Sequence, residues 1–335
     1  MILPFKSFYL LKPLIPRKLQ IGFRRKFIQF KRKFINYNWP IDPLAGNPPQ
    51  GWSGWPQGKQ FAVVLSHDVD TQRGHDHCRR LINLEENLGF RSSCNFVPEK
   101  YDVSEEVRKE IIARGFEVGV HGLKHDGKLF FSEKIFKERA LRINQYLKEW
   151  GAGGFTSPSA HHNLGWMQAL NMEYDISTFD TDPFEPQPDG VGTIFPFLVQ
   201  RNPGEAAASQ LPSLPGSRPP SFFIELPYTL PQDFTLFVIM REQTIGIWKQ
   251  KLDWIAEKGG MALLNSHPDY MSFNASDQGN ETYPVKFYTE FLEYIKSRYK
   301  GKYWQALPGE VARFFAATPG RQEAGRLGRQ KAEDR

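Results

Sequence analysis

The stretch FAVVLSHDVD, residues 61 to 70, sets five apolar residues directly ahead of two carboxylates at alternate positions. A short, continuous apolar run reads as a strand buried on both faces, the kind that parallel sheets are built from. If the extended geometry continues, its period of two turns Asp68 and Asp70 to the same side. Two like charges held close need a cation beside them, or one of the carboxyls stays protonated. The competing reading is an N-cap for the next helix, a common task for aspartate.

Outward from this strand the pattern repeats. Strand-like runs at 92–97 (SSCNFV), 116–121 (FEVGVH), 153–157 (GGFTS), 174–179 (YDISTF), 222–227 (FFIELP) and 261–267 (MALLNSH) alternate with helical stretches near 75–88, 104–114, 132–149, 163–171, 242–258 and 284–298. Alternation of this kind means a mostly parallel sheet, and seven strands suit a closed or nearly closed (β/α) barrel better than an open sheet. Residues 58–317 form this domain; 1–57 are a basic arm followed by a Pro/Trp connector, and 318–335 a polar tail expected to be disordered. The Ala/Ser/Pro/Gly-rich stretch Gly204 to Pro220 reads as an exposed loop inside the domain.

Histidines collect where these strands end: His121 and His125, His161 and His162, and His267 before Pro268. Parallel strands bring the loops at their carboxyl ends to one mouth, so distant residues can converge there. On a helical turn, a spacing of four puts His121 and His125 on one face, the separation two imidazoles need to share a metal. With Asp70 they make a two-histidine, one-carboxylate set that leaves a coordination position open. Asp68, free of the metal, suits a proton acceptor, and His267 a donor.

Asp68-Val69-Asp70, His121-x-x-x-His125 and Leu264-x-x-His267-Pro268, in this order, resemble the polysaccharide deacetylases of carbohydrate esterase family 4, whose shared unit is the NodB homology domain. The resemblance covers about residues 58 to 315, including Trp304-x-x-Leu307-Pro308-x-Glu310. It implies a distorted (β/α)7 barrel, a divalent metal, most often zinc, and removal of an acetyl group from an N-acetylated sugar. Asp68 is then the general base, Asp70, His121 and His125 the metal ligands, and His267 the general acid. The family's Arg-x-Pro-Tyr/Phe-Gly motif stands here as Thr156-Ser157-Pro158-Ser159-Ala160, without its arginine. That arginine pairs with the catalytic aspartate in the family, so its loss bears on turnover more than on metal binding. Ser157, Pro158, Ser159, His161 and His162 are candidates for substrate or oxyanion contacts, and the loop's backbone N–H groups for the oxyanion. Asp180 or Asp182 could also reach the site, and Trp166, Phe184 and Tyr270 could stack on sugars or lie in the core. Without turnover, the same barrel would be a metal- and carbohydrate-binding module; with another substrate, an amidase.

The net charge of +6 is concentrated at one end. Ten cations precede the first acid, Asp42, and removing them leaves −4 for the rest, which argues against nucleic acid as a partner. From Arg17 to Phe34 the apolar residues recur at helical spacing, which predicts a basic amphipathic helix. It would pack on the outside of the main domain or meet an anionic membrane through residues 1–36. The uncharged runs of the arm are too short for a signal-peptide core or a membrane span, so the expected location is cytoplasmic, peripheral at most. Cys78 and Cys94 read as reduced thiols in a reducing compartment.

Overall fold

A computed structural model describes residues 15–35, 39–201 and 221–318. Strand β1 (Phe61–Val69) is buried along its whole length and is the hub of the sheet. Its first half pairs with β11 (Tyr303–Ala306), its second half with β2 (Ser93–Phe96), and most of its length with β8 (Met261–Ser266), all in parallel. From β2 the parallel sheet continues through β3 (Glu117–His121), β4 (Gly154–Thr156), β5 (Tyr174–Asp175) and β7 (Phe222–Glu225). A single bridge between Leu230, just past β7, and Leu264 of β8 brings the sheet back on itself. The seven apolar runs are therefore the strands of a (β/α)7 barrel, distorted because one seam is a bridge where a ladder would close it.

Two parts of the sheet lay outside the expected pattern. Strand β6 (Phe197–Gln200) is an antiparallel edge on β7, and β11 adds an eighth parallel partner. A separate small pair joins β9 (Met271–Ser272) to β10 (Tyr283–Pro284).

Pleating decides what faces inward. Ala62 and Val64 pack with Ile176, Leu226 and Leu263 in one core group, while Val63 and Leu65 pack with Ile255 and Phe291 of the covering helices in another. Continuing the alternation carries Ser66 and Asp68 to the interior side of the barrel's carboxyl end. Among the described residues the helices are α1 (Arg17–Arg32), α2 (Gln72–Leu88), α3 (Glu105–Ala113), α4 (Glu133–Trp150), the single turn α5 (Leu164–Met167), α6 (Gly246–Lys258), α7 (Lys286–Arg298) and α8 (Pro308–Ala317). Ser104 and Ser132 cap α3 and α4 by accepting from the backbone three residues on. The helix expected at 163–171 shrinks to α5, and that expected from 242 starts at Gly246, after a π-helical turn over Phe234–Ile239.

Helix α1 is the predicted basic helix, and it is docked. Ile21 and Ile28 are buried in the same core group as Phe234, Phe237 and Val238. Arg25 donates to the carbonyl of Val238, Lys31 to that of Pro183, and Arg32 pairs with Glu242. The connector is ordered by aromatics: Trp52 meets Trp55 at 4.7 Å and Phe195 at 5.2 Å between ring centroids. Cys78 and Cys94 are free and buried. Among the described residues no helix is long and apolar enough to cross a membrane. The first part of the arm, the whole of the loop at Gly204 to Pro220 and the tail after Thr318 lie outside the described residues.

Candidate active site

At the carboxyl ends of the barrel strands a cleft of about 640 Å³ is lined by Asp68, Asp70, His121, His125, Ser157, Ser159, Asn265 and His267, among others. The convergence expected at the strand ends is therefore present for both aspartates and for three of the histidines. One nitrogen or oxygen from each of Asp70, His121 and His125 lies within 4.8 Å of the others. His125 Nε2 stands 2.8 Å and His121 Nε2 3.4 Å from Asp70 Oδ1. Asp70 Oδ1 is nonetheless buried without a hydrogen bond of proper geometry. Two imidazole nitrogens and an orphaned carboxylate oxygen facing one another form a donor set suited to a divalent cation.

The electrostatics agree. Burial lowers the pKa of His125, against the opposing pull of Asp70. Burial opposes ionisation of Asp70, but the two imidazoles outweigh it and hold its carboxyl well below the usual range. Asp269 fixes the strand end by accepting from the backbone N–H of Asp70 at 2.9 Å and from Thr71. Tyr270 donates to Asp70 Oδ2 at 3.2 Å. The local conformation around the two histidines differs from expectation. His121 ends β3, and the chain then turns through Gly122 (φ 60°) to His125 (φ 53°), so they meet across a left-handed turn and no helix joins them.

Asp68 has three hydrogen-bond donors: Thr156 Oγ1 at 2.7 Å and Asn95 Nδ2 at 3.1 Å to Oδ1, and Asn265 Nδ2 at 2.8 Å to Oδ2. All three are neutral, and among the described residues no cation hydrogen-bonds to Asp68. Thr156, standing where the related motif has arginine, also lies 2.7 Å from His121 Nδ1. A hydroxyl has one proton to give. If Thr156 gives it to Asp68, the Nδ1–H of His121 must donate to Thr156, which leaves Nε2 unprotonated on the side of Asp70 and His125. One hydroxyl thereby orients both a candidate ligand and the candidate base.

Asn95 owes its place to Gly119, because a Cβ there would lie 2.1 Å from Asn95 Oδ1. His267, at the end of β8, sets Nδ1 2.7 Å from Asp233 Oδ1 and donates its backbone N–H to Oδ2 at 2.9 Å. Burial works against the imidazolium, but Asp233, with smaller contributions from Asp70 and Asp68, outweighs it and raises the pKa to about 10. His267 is thus protonated at neutral pH.

Not all the expected contacts are made. Ser157 and Ser159 line the cleft, and Ser157 Oγ is buried without a partner. Pro158 and His161 line a smaller adjoining cavity instead. His162 reaches neither, being turned to the carbonyl of Ala160 at 3.0 Å. The left-handed backbone at Ser159 (φ 62°) and Ala160 (φ 52°) swings the chain away before the histidine pair. Asp180 is spent on a buried pair with Lys251, and Asp182 does not line the cleft, although its neighbour Glu185 does. Of the three aromatics expected there, only Tyr270 lines the cleft, together with Tyr228 and Phe234; Phe184 packs edge-on against Trp39, and Trp166 stacks with Phe130. Sequence reasoning missed Asp233, Asn95, Asn265 and two arginines of α1 that also line the cleft, Arg17 and Arg24.

No family model matches the sequence, and no curated protein does. The barrel is that of the polysaccharide deacetylases, as solved structures show. A Mycobacterium smegmatis protein assigned as a polysaccharide deacetylase superposes with a TM-score of 0.58 at 16% identity, over 81% of this chain and 95% of its own. The allantoinase Puue gives 0.56 at 16% identity, over 84% and 99%. A Pseudomonas aeruginosa PAO1 protein, also assigned as a polysaccharide deacetylase, gives 0.55 at 15% identity, over 84% and 99%. At these identities the likeness is one of fold.

Proposed function

We propose that this chain is a divergent polysaccharide deacetylase, a metal-dependent hydrolase that removes an N-acetyl group from an amino sugar in a polysaccharide or its precursor. The observation that carries the reading is that an N₂O donor set, a carboxylate outside it and a protonated histidine face one cleft. A binding module needs no acid and base together. Asp70, His121 and His125 would hold the cation, zinc by the chemistry of its donors, which would polarise the amide carbonyl and acidify a water. Asp68 takes the proton of the water as its oxygen adds to the carbonyl carbon. Ser157, which lines the cleft and whose Oγ has no partner, would donate to the substrate. His267 gives its proton to the nitrogen as the C–N bond breaks, leaving acetate and a free amine. Asp233 holds His267 in the orientation and charge state that this requires.

The second reading, a barrel that keeps the metal and has lost turnover, has Thr156 in its favour; an amidase on another non-peptide amide would use the same groups. One experiment tests the first reading against the other two: metal content and acetate release from N-acetylglucosamine oligomers, for wild type, His125→Ala and Asp68→Asn. One metal per chain, lost in His125→Ala and kept in Asp68→Asn, with release abolished in both, is expected. Metal without release from wild type would favour the other readings, and no metal would overturn all three.

We also propose that the protein is cytoplasmic and rests on an anionic membrane surface through α1. Two reduced cysteines support the compartment. Leu19, Phe23, Phe27 and Phe30 are 47–66% exposed beside exposed Lys18, Lys26 and Lys33. Replacing Phe23, Phe27 and Phe30 by Gln should abolish co-sedimentation with phosphatidylglycerol vesicles. Wild-type protein that stays in the supernatant would refute this.

A further inference from the structure

Arg17 and Arg24 line the same cleft as Asp68, Asp70 and His267. Their guanidinium carbons lie 5.7 Å and 5.2 Å from the centroid of one ring, Phe234. That ring packs 4.6 Å from Tyr270, whose hydroxyl donates to Asp70. The two cations therefore stand one aromatic pair away from the candidate metal ligands. Three other cations of α1 are committed to the barrel, Arg25 to two carbonyls, Lys31 to another and Arg32 to Glu242, while Lys18 and Lys26 are exposed. Arg17 gives Nε to Glu281 at 3.1 Å, and its terminal nitrogens make no hydrogen bond among the described residues. Arg24 makes no ion pair among the described residues; Glu185 and Asp182 feel it only through space.

Two guanidinium groups brought over one ring repel each other; Glu281 offsets this for Arg17 through one nitrogen, and Glu185 and Asp182 offset it for Arg24 only through space, so both forks remain open to an anion. Their planar N–H forks match the oxygens of a phosphate, whose charge calls for two cations where a carboxylate's would be met by one. We propose that Arg17 and Arg24 form an anion subsite, and that the amino sugar taken by this cleft carries a phosphate, as a free monoester or as an ester to a lipid. The inference rests on the hydrolase reading above for its sugar, and on the arginines alone for its phosphate. Helix α1 is then a wall of the substrate site as well as a cover for the core.

Calorimetric titration of the full chain with N-acetylglucosamine and with its 1-phosphate tests the subsite, with acetate release measured in parallel. The wild type should bind the phosphate at least about tenfold more tightly. Arg24→Gln and Arg17→Gln should each remove about tenfold, as expected for a charge-assisted hydrogen bond, and Arg24→Lys should restore part of the loss. Equal affinity for the two sugars in the wild type, or full phosphate affinity in both glutamine variants with unchanged melting temperature, overturns the proposal. Offering the same sugar phosphate on a polyprenol in detergent micelles separates the sources: tighter binding than the soluble ester assigns a lipid-borne substrate, equal binding a free one. Arginine-dependent binding without acetate release would remove the hydrolase and leave the subsite. Acetate release without charge preference would do the reverse.

Discussion

Replacing Thr156 by valine tests whether a neutral relay can stand in for an arginine. The side chain keeps its branched shape but loses two hydrogen bonds of 2.7 Å, one with His121 Nδ1 and one to Asp68 Oδ1. Thr156 is 1% exposed, so water has no ready route to replace the hydroxyl. A hydrogen bond to a charged group contributes about 1.5–3 kcal/mol. If that contribution acts in the transition state, kcat/KM should fall by about 10- to 150-fold. The imidazole, no longer held by its outer partner, should bind metal about 10- to 100-fold more weakly. Competition against a chromophoric chelator reads the second effect, and acetate release at saturating metal reads the first. Thr156→Ser, which keeps the hydroxyl, should retain most of both. A valine variant with wild-type metal affinity and wild-type rate would refute the relay.

Asp233→Asn should expose the coupling at His267 through pH. The folded pKa of about 10 lies above the ordinary 6.5, so the pair's stabilisation is fully present below pH 6.5 and lost as pH rises through 10. Melting curves of the wild type and Asp233→Asn should therefore differ most below pH 6.5 and converge toward pH 10; a constant gap would show that the pair does not titrate this way. Gly119→Ala puts a methyl group into the space of Asn95 Oδ1 and should impair acetate release while leaving one metal per chain; unchanged turnover would mean that Asn95 does not position the base. Ile28→Ala, at a residue 2% exposed, should cost about 2–5 kcal/mol in urea unfolding. No loss would mean that α1 does not share the core.

The strands were legible because each is a short apolar run ended by glycine, proline or a polar cluster, and the candidate metal ligands because they sit at those ends. What escaped notice depends on contacts between distant parts of the chain. Asp233 lies in a Pro-Gln-Asp segment with no periodicity, and its partner His267 is 34 residues away. Asn95 was read as one polar residue within a strand; only its register beside Asp68 gives it a role. The histidine spacing suggested a helical turn because i,i+4 is helical by default, and the left-handed turn through Gly122 and His125 satisfies the same spacing. Arg17 and Arg24 stood only as cations of a basic amphipathic helix, since nothing local links them to Phe234.

Helix α1 also has a history within each round of synthesis. Arg25 is made 213 residues before Val238, the carbonyl it finally holds. At about 5–20 residues per second, some 10–40 s pass before its docking surface leaves the ribosome. Throughout that interval Ile21 and Ile28 are as uncovered as the phenylalanines on the opposite face. The nascent chain thus offers the apolar residues of this segment to any chaperone or bilayer within reach. The cleft gains its last wall only when nearly the whole barrel has been made.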